Sequence, residues 1–205
     1  MTGTLKKLGE AFYDRADVLK IARELLGKIL VTRFDGVYTS GRIVETEAYA
    51  GVGDRASHAF GGKRTARSEA IYGAPGEIYM YICYGMHHLF NVVTNKKDIP
   101  HAVLIRSLEP LQGISAMLQR TGKPELDYTL TRGPGNLSRA LGLNKQHSGG
   151  SLLSDEIYIA DDGLKYKKGQ ILVTKRIGVE SAREDAERLY RFIVVGNPYV
   201  SARKS

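Results

Sequence analysis

Hydrophobic residues recur at helical spacing in one segment near the start of the chain. Val18, Ile21, Ala22 and Leu25 occupy positions i, i+3, i+4 and i+7, which places them on one face of a helix. An aspartate before this stretch can cap the helix, and a glycine after it can end it. The pattern therefore predicts a scaffold helix over residues 17–26.

Most other segments are short and rich in β-branched and aromatic residues, often with apolar and polar positions in alternation. Two of them flank the turn signal Asp35–Gly36, which predicts antiparallel neighbours. The predicted strands are residues 28–34, 37–41, 42–49, 77–83, 88–94, 101–108, 156–160, 170–177 and 190–195. Their order among the helices favours an α+β fold with a mainly antiparallel sheet.

Two further helices are predicted in the second half of the chain. Leu111, Ile114 and Leu118 form an apolar stripe, which predicts a helix over residues 109–120. A G-P-G turn then leads into a short helix that should begin at about Asn136. These helices would flank the sheet.

Residues 50–77 differ in kind from the segments around them. They hold six of the 23 glycines of the chain, so we expect a long ordered loop with one helical turn near residues 68–72. Long loops in compact domains are usually functional or disordered. We expect a single domain over residues 1–205, with flexible ends at about 1–10 and 202–205.

The composition adds a charge preference to this picture. The 205 residues include 30 Lys and Arg against 22 Asp and Glu, a formal net charge of +8. This excess favours a polyanionic partner such as nucleic acid, although a solvated lysine-rich surface has the same composition. The sequence has no apolar run of membrane-spanning length, no signal-peptide pattern and a single cysteine, Cys83. We therefore expect an intracellular, reducing compartment.

Two carboxylates share one face of the predicted strand R-I-V-E-T-E-A-Y. Counted in steps of two, that face carries Ile43, Glu45, Glu47 and Tyr49. A buried carboxylate without a partner is costly, so the two glutamates are solvated, paired with cations, or held for chemistry such as hydrolysis. Arg106, in the middle of V-L-I-R-S-L-E-P, needs an acceptor if it is buried, and either glutamate could supply one.

An aromatic segment, G-E-I-Y-M-Y-I-C-Y-G-M, is a second candidate. Tyr79, Tyr81 and Cys83 share one face of a predicted strand, and Tyr84 falls at the Tyr-Gly-Met turn that follows. An aromatic side chain at a turn serves as a stacking platform or as a wedge between bases, or it folds back onto the surface. The residues alone do not decide between these alternatives.

The long loop carries two further candidates. His58 can donate, accept or stack, although a lone histidine is more often structural. Lys63, Arg64 and Arg67 lie beside two glycines, and they form either a solvated surface or a set of phosphate contacts.

One cysteine and three histidines raise the hypothesis of a metal site. They are Cys83, His87, His88 and His101. Adjacent residues on a strand face opposite ways, so this spacing is not that of a closed metal site. We therefore predict no metal and no cofactor.

Four motifs in one order give the chain a specific resemblance. They are E-T-E-A-Y, H-A-F-G-G-K-R-T-A-R, Y-M-Y-I-C-Y-G-M-H-H-L-F-N and A-V-L-I-R-S-L-E-P, followed by G-P-G-N-L-S-R-A-L-G-L-N-K and R-I-G-V-E. From the Asp14 region to P-Y-V-S near the end, the chain resembles the alkyladenine (3-methyladenine) DNA glycosylases of the mammalian type. The resemblance implies a single compact domain with a curved antiparallel sheet and flanking helices. It also implies hydrolysis of the N-glycosidic bond of damaged purines that are flipped out of duplex DNA.

The resemblance further implies roles for individual residues. Glu47 is the general base that activates the attacking water and Arg106 helps to bind that water, whereas Glu45 is a structural partner outside the pocket. The other assignments are Tyr49, His58 and Tyr81 as stacking residues of the base pocket, Asn91 at its floor, Tyr84 and Met86 as intercalating residues, and Lys63, Thr65 and Arg67 as contacts to the DNA backbone.

The implied enzyme is monofunctional, uses water rather than a lysine Schiff base, needs no cofactor and acts as a monomer. Its partner is double-stranded DNA with lesions of the 3-methyladenine, 7-methylguanine, hypoxanthine and ethenoadenine class, in the cytoplasm or nucleoid if the source is bacterial. The mammalian members have larger, more aromatic residues after the Tyr-Gly-Met turn, whereas this chain has His87 and His88 there. Contacts to the opposite DNA strand and the range of lesions can therefore differ.

Two rival functions fit parts of the pattern. A glycoside hydrolase would use the two carboxylates, but the chain has no tryptophan to stack on sugars and its positive charge suits phosphate better. A non-catalytic nucleic-acid-binding module would use the basic loop and the aromatic turn. It gives no reason for Glu47, His58 and Arg106 to converge.

Overall fold

The computed structural model describes residues 5–201, and nine strands in this range form one sheet with antiparallel pairing. The strands are β1 (Lys6–Lys7), β2 (Ile29–Phe34), β3 (Val37–Tyr49), β4 (Ile78–Cys83), β5 (His87–Thr94), β6 (His101–Gln112), β7 (Ile157–Asp161), β8 (Ile171–Thr174) and β9 (Arg191–Val194). Their main order is β1-β7-β2-β3-β6-β5-β4, and β9 pairs with both β3 and β8. The predicted α+β class is confirmed.

The helices are short and lie between the strands. The α-helices are α1 (Glu10–Tyr13), α2 (Val18–Leu25), α3 (Ile114–Thr121) and α4 (Pro134–Leu141), and the 3₁₀ helices are Gly51–Gly53, Phe60–Gly62, Glu69–Tyr72, Tyr128–Leu130, Lys145–His147, Lys168–Gln170 and Glu180–Glu187. The first predicted helix is confirmed as α2. The Asp17 side chain accepts the Lys20 backbone N–H at 2.9 Å, and Gly27 follows the helix with a φ of +88°.

Strand β3 organises the sheet around the two glutamates. On one edge its residues 37–42 pair with β2 and residues 45–47 pair with β9, while residues 40–49 pair with β6 on the other edge. The Thr46 hydroxyl donates to the Ala22 carbonyl of α2 at 2.8 Å, so α2 covers one face of β3. Since side chains alternate along a strand, Glu45 and Glu47 point to the opposite face.

The hydrophobic core lies between the sheet and the helices. Its fully buried members come from α2, α4 and the central strands, and they include Ile21, Leu25, Leu30, Phe90, Ile105 and Leu137. Burial of this apolar surface is the main stabilising contribution to the fold. The core therefore fixes β3 from one side and leaves its other face for polar groups.

The predicted helix over residues 109–120 is wrong at its start. Strand β6 continues to Gln112, and within it Pro110 pairs with Gly41 beside a register shift of the ladder. A proline is tolerated at such an irregularity near a strand end because the missing N–H is not needed there. Gly113, with a φ of +75°, then ends the strand, and α3 begins at the next residue.

Other boundaries differ by a few residues. The predicted strands 37–41 and 42–49 are one continuous strand, β3, and helix α4 begins at Pro134 rather than at Asn136. The late strand predicted over 170–177 is only four residues long. Residues 50–77 form a long ordered segment, and its predicted helical turn is the 3₁₀ helix Glu69–Tyr72.

The predicted flexible ends lie partly outside the described range, which leaves out residues 1–4 and 202–205. Inside it, Lys6 and Lys7 pair with Asp161 and Ala160 of β7. Within residues 5–201, none of the helices has the length and apolar character needed to cross a membrane.

Candidate active site

Glu47 lies near the C-terminal end of β3, and its side chain is fully buried. Its Oε1 accepts the Ile177 backbone N–H at 2.8 Å and lies 3.2 Å from Arg106 Nη1, and its Oε2 accepts the Tyr49 hydroxyl at 2.9 Å. These donors offset the cost of burying a charge. A carboxylate offers about four acceptor positions, so the three contacts leave room for one further donor such as a water.

Glu45, two residues earlier, is enclosed by more donors. Its oxygens accept hydrogen bonds from Arg106 Nε at 2.8 Å, Arg191 Nε at 2.7 Å, the Ser107 hydroxyl at 2.9 Å, and both the backbone N–H and the hydroxyl of Ser201 at 2.7 Å. Burial alone raises the pKa of Glu45, but Arg106 and Arg191 outweigh this effect and hold the pKa below its ordinary value. Glu45 thus holds together strands β3, β6 and β9.

Arg106 bridges the two glutamates. The prediction that a glutamate accepts this arginine is confirmed for both Glu45 and Glu47. Burial opposes the charge of Arg106, but the two carboxylates outweigh it and raise the pKa of the guanidinium above its ordinary value. The arginine is therefore a fixed cation behind the site.

Three aromatic side chains, His58, Tyr79 and Tyr81, line a cavity together with Tyr49, which binds Glu47. The His58 Nδ1 lies 2.6 Å from the Tyr79 hydroxyl, and the His58 and Tyr81 rings meet edge to face with centroids 4.6 Å apart. Burial, followed by the charges of Arg67 and Lys63, lowers the pKa of His58. The imidazole is therefore neutral at neutral pH. Burial also raises the pKa of Tyr79 to about 12, so its hydroxyl keeps its proton.

These side chains line a cleft of about 990 Å³. Tyr49, His58, Tyr81 and Arg106 form part of its wall. Glu47 is fully buried and contacts this wall through Tyr49 and Arg106. A cavity of about 20 Å³, roughly the space of one water, adjoins the cleft and reaches Asn91. The Asn91 amide donates to the carbonyl oxygens of Tyr79 and Leu89 at 3.1 and 3.3 Å, so the side chain is held in one orientation.

The β4–β5 hairpin presents two apolar side chains at the cleft rim. Tyr84 is 86% exposed and Met86 is 70% exposed. The Met86 N–H donates to the Cys83 carbonyl at 3.2 Å, and Tyr84 and Gly85 have φ values of +50° and +73°. Positive φ at both central positions is typical of a type I′ turn and is unfavourable for a bulky residue. The turn therefore holds the Tyr84 ring away from the core at a local cost.

The predicted basic cluster divides into two kinds of residue. Arg64 binds Glu69 and Asp98 at 2.6 and 2.7 Å. Lys63 and Arg67 are exposed and form no ion pair within the described residues, and the Arg67 guanidinium lies 5.8 Å from the centroid of the Tyr81 ring. The neighbouring Thr65 exchanges hydrogen bonds with Ser68, which shapes the loop.

Comparison with known proteins decides the family. The family model described as Methylpurine-DNA glycosylase (MPG) matches residues 11–198. This chain belongs to the methylpurine-DNA glycosylase family. It is similar to proteins named "Putative 3-methyladenine DNA glycosylase" from Clostridium perfringens (44% identity; 96% of this chain and 100% of that one), Desulfitobacterium hafniense (44%; 97% and 100%) and Chlamydia felis (45%; 91% and 95%).

Family membership confirms the predicted enzyme class. The protein is a DNA glycosylase of base excision repair, a hydrolase that acts on N-glycosyl bonds and has DNA as its substrate. The rival hypotheses of a glycoside hydrolase acting on sugars and of a non-catalytic binding module are therefore wrong.

The structure of this glycosylase shows a buried ion pair that sequence reasoning missed. Arg176 binds both carboxylate oxygens of Asp54, at 2.5 and 2.8 Å, and donates to the Ala48 carbonyl at 2.9 Å. Its guanidinium lies over the Tyr49 ring, 4.8 Å from the centroid. A cation inside the apolar segment Q-I-L-V-T-K-R-I was the available signal, the same kind that identified Arg106. Arg191 in Y-R-F-I-V-V was missed in the same way.

The histidines that follow the hairpin turn have different surroundings. His87 lines the cleft, and its ring lies so close to Gly135 that a side chain there would collide with it. His88 Nδ1 accepts the Lys145 backbone N–H at 3.1 Å. In residues 5–201, no three or more His, Cys, Asp or Glu side chains are grouped as ligands of a metal ion. Of these two histidines, His87 is the one that lines the cleft.

Proposed function

We propose that this DNA glycosylase removes alkylated or deaminated purines from duplex DNA with a water activated by Glu47. The purines removed would be of the class of 3-methyladenine, 7-methylguanine, hypoxanthine and ethenoadenine, and the product would be an abasic site in the DNA. One observation supports the proposal most: the Glu47 carboxylate lies behind an aromatic cleft with one acceptor position left after Tyr49, Arg106 and Ile177 have bound it.

The chemistry fits this arrangement. As the purine departs with the electrons of the glycosidic bond, positive charge develops on the deoxyribose, and a nearby carboxylate stabilises it. Glu47 takes a proton from the water while the water oxygen bonds to the anomeric carbon. Arg106 fixes the carboxylate and helps to orient the water.

The pocket residues suit an electron-poor purine. Tyr49, His58 and Tyr81 provide aromatic faces in the cleft wall, and such faces attract positively charged rings. A neutral His58 does not repel a cationic purine. Asn91, fixed at the end of the adjoining cavity, leaves little room for the 2-amino group of normal guanine, which supplies selectivity by exclusion.

The rim residues suit the handling of DNA. The exposed ring of Tyr84, with Met86 beside it, would enter the minor groove and fill the gap that the flipped nucleotide leaves. Lys63, Thr65 and Arg67 would bind the phosphates next to that nucleotide. Together these contacts would hold the duplex while the lesion occupies the cleft.

A direct assay tests the proposed activity. The protein is incubated with duplexes that contain hypoxanthine, ethenoadenine or 7-methylguanine at one position, and abasic sites are scored by alkaline cleavage. We expect cleavage at the lesion only after the alkaline step, because water hydrolysis leaves the DNA backbone intact. No release of any of the three bases would contradict the proposal, and strand cleavage before alkali would indicate lyase chemistry instead.

A further inference from the structure

A buried ion pair between Asp54 and Arg176 lies next to the Tyr49 ring, and neither of its members lines the cleft. Tyr49 lines the cleft, whereas Asp54 and Arg176 have side chains that are fully buried. The Arg176 guanidinium stacks on the ring at 4.8 Å from its centroid. The ring thus separates the ion pair from the space in which a base would stack.

We propose that the Asp54–Arg176 pair sets the preference of this glycosylase for positively charged over neutral purines, by controlling the charge behind the Tyr49 ring. The inference rests on the proposed function, because it requires the flipped base to stack on the free face of Tyr49. Neither Asp54 nor Arg176 touches that base, so both are positioning residues.

The physical reason is the competition between two cations for one aromatic ring. A cation bound to one face of the ring weakens the attraction of the ring for a cation on the other face. The two cations also repel each other directly. This repulsion is strong where solvent is excluded. Asp54 binds both terminal nitrogens of Arg176, so it cancels the charge of Arg176 as felt through the ring.

The same pair also fixes the geometry of the cleft wall. Arg176 donates to the carbonyl oxygens of Ala48 and Asp185 at 2.9 and 3.1 Å. Asp54 accepts the backbone N–H groups of Ala50 and Ala56 at 3.0 and 3.1 Å, close to His58 in the chain. Loss of the pair would therefore lower excision of every lesion, whereas the loss of charge balance alone would discriminate between lesions.

The test compares a cationic with a neutral lesion in the same duplex sequence. Single-turnover excision of 7-methylguanine and of hypoxanthine is measured for the parent protein and for Asp54→Asn, which leaves the Arg176 charge unbalanced. We expect the ratio of the two rate constants, cationic over neutral, to fall about tenfold. The double variant Asp54→Asn/Arg176→Gln removes both charges and should return the ratio to within about threefold of the parent, even with lower rates.

A matched control is Glu184→Gln, which breaks the exposed ion pair between Arg55 and Glu184 and should leave the ratio unchanged. If Asp54→Asn does not fold, Arg176→Gln replaces it. In Arg176→Gln, Asp54 still accepts the N–H groups of Ala50 and Ala56, and its negative charge behind the ring is no longer balanced. The ratio of the excision rate constants, cationic over neutral lesion, should therefore rise. Equal loss of both rates in the folded variant, with an unchanged ratio, would overturn the proposal.

The parent protein separates this inference from the proposed function. Excision of both lesions by the parent upholds the function, and the variants then decide the inference by the ratio alone. Failure of the parent to release either base would overturn both.

Discussion

Glu45 and Glu47 lie two residues apart on β3, point to the same side of the sheet and share Arg106, yet their surroundings differ. Glu45 accepts five hydrogen bonds, two of them from arginines. Glu47 has three contacts, to Tyr49, Arg106 and Ile177, and all three of these residues line the cleft. The difference shows that two neighbouring carboxylates on one strand can differ in how completely donors enclose them, which their place on the strand alone does not determine.

The five hydrogen bonds that Glu45 accepts already fill its acceptor positions. An acceptor with no remaining position cannot bind a water, and protonation would leave two buried arginines without a full partner. Glu47 has only three contacts, which leaves one acceptor position of its carboxylate unused. We therefore predict a structural role for Glu45 and a catalytic role for Glu47, and the following variants test each prediction.

Glu47→Gln should cause the largest effect. The amide keeps the shape of the side chain but removes the base and the negative charge, so single-turnover excision should fall by about two orders of magnitude or more. Affinity for lesion-containing duplex, measured by fluorescence anisotropy, should stay close to that of the parent. Excision within severalfold of the parent would contradict the catalytic assignment.

Glu45→Gln should act on folding instead. It leaves Arg106 and Arg191 partly unpaired in a buried site, and denaturant unfolding should show a loss of about 3–5 kcal/mol. Asn197→Ala, which removes a half-buried contact to Glu109, offers a comparison and should cost much less. A Glu45→Gln protein as stable as the parent would show that the arginines do not depend on this carboxylate.

The stability of the parent in acid should depend on the same group. The folded-state pKa of Glu45 is lowered, so its contribution is present above the unfolded-state value of about 4.3 and is lost as the pH falls through the folded-state pKa. The unfolding free energy of the parent should thus decline below about pH 4.3, and that of Glu45→Gln should decline less steeply. Parallel profiles of unfolding free energy against pH for the two proteins would contradict a contribution of Glu45 to stability.

Tyr84→Ala alters the delivery of the base to the cleft without touching either carboxylate. The flipped state should lose the ring that fills the vacated stack, and the fluorescence change with ethenoadenine DNA should shrink. The loss should be larger at a well-paired lesion than at a mismatched one, because a mismatched base is already easier to unstack. Tyr84→Phe should retain flipping. Equal amplitudes for Tyr84→Ala and the parent, at saturating protein, would show that the ring only packs on the surface.

Replacing Lys63 and Arg67 together by Ala should change the affinity for DNA, and it should leave the effects predicted for Glu45 and Glu47 on stability and excision untouched. The slope of log affinity against log salt should become shallower by roughly two units. Arg64→Ala is the matched control, because Arg64 is already bound to Glu69 and Asp98 and should change the slope less. An unaltered slope for the double variant would place this cluster on a solvated surface.

The sequence predicted elements whose signals are local. Helix α2 was predictable because the cap at Asp17, the apolar stripe and Gly27 all lie within a dozen residues. The start of α3 was not, because the pairing of Pro110 with Gly41 depends on a strand far away in the chain. Tertiary pairing overrode the local helical pattern there.

The site likewise combines features with a local signal in the sequence and features that depend on tertiary pairing. An acceptor for Arg106 could be expected because a cation within an apolar strand requires one. The pairing of Glu45 with Arg191, which are 146 residues apart, depends on β9 lying beside β3, and no local pattern reports that. Likewise, the position of Arg176 behind Tyr49 follows from the packing of the segment after β8. The roles of the individual site residues remain predictions.

One ratio tests the division between the two glutamates most directly. Single-turnover excision of hypoxanthine from one duplex is measured with saturating Glu45→Gln and Glu47→Gln, at a temperature where circular dichroism shows both to be folded. We predict that the rate constant of Glu45→Gln exceeds that of Glu47→Gln by about 100-fold or more. Rate constants within severalfold of each other would contradict the account, because both carboxylates would then serve the same purpose.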